Sequence, residues 1–247
     1  MKTLIRNAHV LTLDAQDREY PRADILIDGS TILAIGPGPL PGAGGATAIE
    51  ASGKLAMPGL VNGHFHSQAN LLAGALHNRP LELFMLFEVP PYGTAEPDPR
   101  LVYLQTMLGA IEMLKAGVTA VHDDAFHNPY PTQGSISALM RAYADSGLRA
   151  TVSINHQNLV EYVKYPFLED ILPADIRAEM DRAPRMTTAE LAELYRWYHA
   201  TWHGAENGRL RVAVTNSAAA ERLEPHYAEM YRRVAAIDVG FSRWLTP

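Results

Sequence analysis

From Leu60 onward, strand-length apolar runs alternate with helix-length stretches, and nothing else in the sequence restricts the fold as much. Strands are expected near residues 60–65, 118–122, 149–154 and 210–215. Between and after them lie helical stretches. Leu101–Ala116 carries apolar residues at 101, 104, 107, 108, 111 and 114 and stops at Gly117. Ser135–Ser146 is closed by Gly147, and a capping box, Thr187-Thr188-Ala189-Glu190, opens a helix running to about His203. Pro225–Ala236 reads as the last helix. Strands alternating with helices at this spacing give a parallel sheet with covering helices, an α/β fold.

The preceding residues read differently. Leu4–Leu13 is a β run, and Ala23–Gly36 holds two short apolar runs around Asp28-Gly29-Ser30, the signal of a hairpin. A Pro- and Gly-rich loop spans 37–45, and Ala48–Ala51 with Gly53–Ala56 reads as another short β element. Residues 1–56 are therefore expected to form a small β domain, too small to be comfortable alone, with 57–247 as the second domain.

Two connections after strands are long, 67–100 and 155–187, and both follow strand ends that carry histidines. Such loops are where barrel enzymes build substrate pockets. Phe84, Met85, Leu86 and Phe87 could line an apolar wall there, with core packing as the equal alternative.

The chemistry-bearing segment is Pro58-Gly59-Leu60-Val61-Asn62-Gly63-His64-Phe65-His66-Ser67. In a strand, residues i and i+2 point to one side, so His64 and His66 aim two imidazoles into one place. Imidazole suits zinc, iron and similar ions, and an ion there can lower the pKa of a bound water toward ~7. A bare His-x-His is more often a pair of solvated histidines. Its position, ending an apolar strand after a Pro-Gly turn and opening a βαβα series, favours the metal.

The segment Met57–Ser67 resembles the metal-binding signature of the amidohydrolase superfamily, and in particular its cytosine deaminase, guanine deaminase and triazine hydrolase branch. Asn70-Leu71-Leu72-Ala73-Gly74, Gly117–Asp124 and the leading β unit agree with it. The resemblance covers residues 1 to about 217. It implies an α/β fold of the (β/α)8 TIM-like barrel kind, here partial with about four βα units, preceded by the small β unit. It implies a hydrolase of carbon–nitrogen bonds, a deaminase or amidohydrolase of a small cyclic or aryl amine or amide. His64 and His66 match two metal ligands from the first strand. The cofactor so implied is one divalent ion, zinc ahead of iron, because the candidate fourth strand, Leu210–Asn216, has no lysine to bridge two metals.

The resemblance also calls for a histidine from the fifth strand, a proton-shuttling glutamate, a histidine from the sixth and an aspartate from the eighth. The four expected strands supply none of these, and His226 sits at a helix start. The expectation is the N-terminal half of such a barrel, with its catalytic groups outside this chain. The alternative is an incomplete half-barrel that serves as an assembly unit or as one half of a two-chain enzyme.

Asp124, His156 and His77 are the candidate substrate contacts: the first two close strands, and the third lies in the first long loop. His122 and Asp123 share the second strand end. His127, beside Asn128-Pro129, reads as structural. His199 and His203 stand i, i+4 on a helix but lack the glutamate of an HExxH motif, so a packed helix face is favoured. His9 lies far away in the β unit.

The net charge of −6 gives no footprint for nucleic acid or an anionic membrane. No cysteine is present, which excludes disulfides and thiolate sites. The start lacks the apolar stretch of a signal peptide and no run approaches a membrane span, so a cytoplasmic protein is expected. Its expected partners are a small-molecule substrate and either its own copies or a chain that completes the barrel.

Overall fold

The structure, a computed structural model, describes residues 1–75, 77–80, 84, 96–155, 160–164 and 167–214. The chain divides into two compact units at Gly59/Leu60. The expected last helix, Pro225–Ala236, lies outside the described residues, as do His226 and Met85–Phe87.

The first unit is one sheet. Strands β1 (Lys2–Leu11), β2 (Glu19–Asp28), β3 (Thr31–Gly36) and β4 (Thr47–Glu50) are ordered β3-β2-β1-β4, and β5 (Leu55–Ala56) also pairs with β1. β2 and β3 form the expected hairpin, in which Asp28 pairs with Thr31 across a Gly29-Ser30 loop. Gly29 takes φ +57°, a conformation that other residues seldom adopt. Ala8, Val10, Ala23, Ile25 and Ala51 make the small core.

The second unit opens with β6 (Leu60–Phe65) and a 3-10 turn, Ser67–Leu72. Then come α1 (Pro99–Lys115), β7 (Val118–Phe126), α2 (Gln133–Ser146) and β8 (Arg149–Asn155). A second 3-10 turn (Glu161–Lys164) and two short helices, α3 (Leu168–Ile171) and α4 (Ala174–Arg182), lead to α5 (Thr188–Trp202), α6 (Ala205–Gly208) and β9 (Leu210–Ala213). The four strands are parallel and ordered β6-β7-β8-β9.

Local chemistry sets the helix ends. Asp98 caps α1 through the Arg100 amide, with Pro99 inside the first turn, and Gly117 at φ +82° ends it. Thr132 and Ser135 form a capping box, which starts α2 at Gln133 rather than at Ser135 as expected. The expected box of Thr187 and Glu190 opens α5.

Val121, Ala150, Val152, Ile154, Leu210 and Val212 pack from the sheet against Leu139, Met140, Tyr143, Leu191, Tyr195 and Tyr198 of the helices. Tyr195 and Tyr198 donate to the Ile154 and Val152 carbonyls at 2.8 and 3.1 Å, so the phenols of α5 are satisfied inside this apolar layer. Strand alternation then places His122, Asp124, Thr151, Ser153 and Arg211 on the other sheet face.

α1 does not bury the stripe that signals it in the sequence. Val102, Thr106, Gly109, Ala110 and Met113 enter the core, while Leu101, Leu104, Leu108, Ile111 and Leu114 stay exposed.

Candidate metal centre

Simple alternation puts His64 and His66 on one side of β6 but leaves open which side. Asn62 pairs with Val121 and Phe65 with Asp123, so β6 uses three residues where β7 uses two. This bulge shifts the alternation. Asn62 Nδ2 reaches the Met113 sulfur on α1 (3.6 Å), and Phe65 packs into the same core. Both flanking side chains thus serve the helix layer, and the two histidines are released from it.

The ring nitrogens then meet. His64 Nε2 and His66 Nε2 are 3.1 Å apart, with the rings nearly perpendicular at 86°. His66 Nδ1 lies 2.7 Å from the Asp124 carbonyl oxygen, which can only accept. Nδ1 therefore carries the proton, and the lone pair of His66 is at Nε2. Two imidazole nitrogens at about 2.0–2.1 Å from a tetrahedral ion stand roughly 3.3–3.4 Å apart. The pair fits two corners of such a site, and the bond to the Asp124 carbonyl is the outer-shell contact that orients a ligand histidine. Among the described residues no cluster of three or more potential ligands occurs.

The turn after His66 is tied down on two sides. The Ser67 amide donates to Asp123 Oδ1 (3.0 Å), and the Phe126 amide donates to Gln68 Oε1 (3.2 Å). Asn70 Nδ2 donates to the Ser67 and Gln105 carbonyls at 2.8 and 2.9 Å. Phe126 rests against the His66 ring, with centroids 5.2 Å apart. Gly109 on α1 makes room for this arrangement, because a Cβ there would come within 2.5 Å of the Phe65 ring tip and would overlap the Asn70 amide. Gly109→Ala is expected to cost about 1–3 kcal/mol by overpacking. Chemical denaturation checks the loss, and a variant as stable as the parent would show that the turn yields freely.

Asp123 is fully buried and also accepts from the Tyr143 hydroxyl at 2.7 Å. Burial pushes its carboxyl up to about 6, against the downward pull of the bonds from Ser67 and Tyr143. β7 was expected to end at His122. It runs on to Phe126 because Asp123 finds these partners inside the core.

The candidate substrate contacts are dispersed. Asp124 lies beside the pair, its Oδ1 accepting from Ser153 Oγ at 2.9 Å. His77 sits exposed in the turn after Leu72, and no hydrogen bond among the described residues joins it to His64 or His66. His156 lies outside the described residues. His122 is exposed one strand pair below Asp124. The sequence reasoning passed over Ser153, Tyr143 and Asn70 as individual positions. Only Asn70 carried a signal, as the first residue of the matching Asn70–Gly74 stretch.

His127 continues the buried side of β7, and neither of its ring nitrogens has a hydrogen-bond partner among the described residues. Burial lowers its pKa to about 4, so it stays neutral. His199 and His203 stack at 4.4 Å, and His203 Nδ1 accepts the Val212 amide at 3.3 Å, which makes them part of the α5–β9 packing.

Residues 55–235 match the model of the amidohydrolase family. Among curated relatives, the 5-methylthioadenosine/S-adenosylhomocysteine deaminase of Pelotomaculum thermopropionicum is 34% identical over 152 residues, 61% of this chain and 33% of that protein. Among solved structures, the triazine hydrolase of Arthobacter aurescens superposes with a TM-score of 0.76 at 23% identity, over 95% of this chain and 50% of that one. A structure of atrazine chlorohydrolase from Arthrobacter aurescens TC1, complexed with zinc, gives 0.70 at 24% identity, with coverage of 95% and 50%. This chain spans a third to a half of the length of these proteins. The structural likeness shows a shared α/β fold built on a parallel-strand sheet. Among the described residues no helix is long and apolar enough to cross a membrane.

Proposed function

The chain belongs to the amidohydrolase family, and from that premise we propose that it forms the N-terminal half of a metal-dependent hydrolase of carbon–nitrogen bonds. In this reading the four strands β6 to β9 with their helices are about four units of a (β/α)8 barrel, and residues 1–56 are a separate small β domain. The observation that carries it is the 3.1 Å approach of His64 Nε2 to His66 Nε2, with the His66 lone pair aimed by the Asp124 carbonyl.

One divalent ion, zinc before iron, would be held by His64 and His66 together with ligands from the half that completes the barrel. When bound, it supplies the Lewis acidity that lets water attack near neutral pH. The residues of this chain do the rest of what the first strands can do. The Asp124 carbonyl keeps the His66 proton on Nδ1. Ser153 holds the Asp124 carboxylate at the same strand end, where it can accept a hydrogen bond from a substrate N–H or hydroxyl. His77 and His156 belong by sequence to the two long connections that follow strands, and both are kept as candidate substrate contacts. In deamination, water adds to the carbon bearing the amine, and ammonia leaves with the transferred proton. The group that moves that proton comes from the completing half.

The name of the nearby curated relative makes an aminopurine nucleoside the favoured substrate within the wider class of small cyclic or aryl amines and amides. The alternative, an assembly unit or one half of a two-chain enzyme, rests on the short span of the match.

The deciding experiment measures metal by elemental analysis, and ammonia release from 5-methylthioadenosine, for this chain alone and with a C-terminal half supplied from a family member. About one ion per assembled barrel is expected, with much less on the chain alone, because zinc sites use at least three protein ligands. Ammonia is expected only from the assembled form. An assembled form that holds metal but releases ammonia from no amine or amide would sink the reading.

A further inference from the structure

His66 is held to β7 at two points. Its Nδ1 donates to the Asp124 carbonyl at 2.7 Å, and the next amide, that of Ser67, donates to Asp123 Oδ1 at 3.0 Å. A ring held by one bond can swing about it. Two bonds to adjacent residues of one strand fix both where Nε2 sits and where its lone pair points. His64 has no such hold, since among the described residues its ring is bonded only to the His66 ring. The bearing of the pair is therefore set through His66.

Packing alone does not call for a carboxylate at position 123. Val121 and Ala125, its neighbours on the same side of β7, are buried and apolar. An apolar residue would suit that layer, and a buried carboxylate is costly unless its oxygens are hydrogen-bonded. What requires an oxygen here is the Ser67 amide, which would otherwise be buried without an acceptor. Tyr143 of α2 completes the arrangement. It is fully buried, and its hydroxyl donates to Asp123 Oδ2 at 2.7 Å. With Oδ2 so held, the carboxylate cannot rotate and presents Oδ1 to Ser67. An unbroken line of bonds thus runs from α2 through β7 to His66.

We propose that Asp123, locked by Tyr143, is a positioning residue for His66, acting through the Ser67 amide to keep the imidazole Nε2 turned toward His64. The proposal deepens the metal-centre reading and rests on it.

Proton–nitrogen correlation NMR of the histidine side chains tests it, on the full 247-residue chain without metal. A ring held at the Asp124 carbonyl shows a protonated Nδ1 and a bare Nε2, and His66→Gln assigns the signal. Tyr143→Phe and Asp123→Leu should lose it as the ring exchanges between tautomers. Asp123→Asn should keep it, because the amide oxygen still accepts from Ser67. Tyr198→Phe controls for loosened packing: it deletes another fully buried hydroxyl, one bonded to the Val152 carbonyl on β8, and should keep the signal. Should Asp123→Leu fail to fold by circular dichroism, Tyr143→Phe decides. In the barrel completed by a C-terminal half, zinc affinity should fall about 10-fold with Tyr143→Phe, the lower end for a lost outer-shell contact, and should not change with Tyr198→Phe. A parent without the signal, a signal that survives Tyr143→Phe, or one lost equally in Tyr198→Phe would overturn the proposal. A completed parent barrel that binds no zinc, while the signal behaves as expected, would instead sink the hydrolase reading and leave the positioning of His66 in place.

Discussion

Asp123→Ala is expected to destabilise the second unit by about 3–5 kcal/mol, because it removes two hydrogen bonds to a carboxylate and leaves both donors buried. Those donors are the Ser67 amide and the Tyr143 hydroxyl. For a chain of this size the loss corresponds to a melting temperature lower by roughly 10 °C. Asp123→Asn keeps the acceptor for Ser67 and an amide that the Tyr143 oxygen can accept from, so about 1–2 kcal/mol is expected. The charge has its own signature. The Asp123 carboxyl titrates at about 6 in the fold, against 3.8 ordinarily. The folded chain therefore binds the proton more tightly than the unfolded one. The stability this provides is full below about pH 4 and is lost as pH rises through about 6. Asp123→Asn should lack that slope, and urea melts at pH 4 and pH 7 would show it. Equal slopes in parent and variant would mean that the carboxylate is better solvated than its burial implies.

The second large effect falls on metal. His64→Ala with His66→Ala is expected to lower zinc affinity of the assembled barrel well beyond 100-fold, since losing an outer-shell partner of a ligand histidine alone costs about 10–100-fold. Ammonia release should fall with it. Folding should not suffer, because neither imidazole fills the core: His64 is exposed and His66 only partly buried. Competition against a chromophoric chelator measures the affinity, and a thermal melt without added metal checks the fold. Metal bound as tightly by the double variant as by the parent would remove the pair from the site.

Much of the scaffold was readable before any coordinates. The four strands of the second unit and its long helices α1, α2 and α5 follow from apolar spacing, and Gly117, Gly147 and the Thr187–Glu190 box mark boundaries by backbone chemistry that a sequence displays; the short helices α3, α4 and α6 were not expected. What stayed hidden depends on residues distant in the chain. Two adjacent aspartates read as a strand end, yet Asp123 stays in β7 because Tyr143, twenty positions later, offers it a hydroxyl. The periodic apolar residues of α1 announce a helix, but periodicity shows that a helix has an apolar side without saying which side the protein buries. The histidine pair was legible as a pair. The direction it faces was not, because the bulge that sets it arises from pairing with β7 and leaves no mark in composition.

The bulge also has a bearing on how this strand end can change over time. In a strictly alternating strand, moving the histidines by one position would turn every neighbour inside out, so packing and chemistry would be locked in phase. The extra residue at Gly63-His64 acts as a clutch between them. Asn62 and Phe65 can be exchanged to suit the helix behind, while the imidazoles keep their bearing. Deleting Gly63 would re-engage the two, turning either the phenyl ring or the histidines to the wrong side.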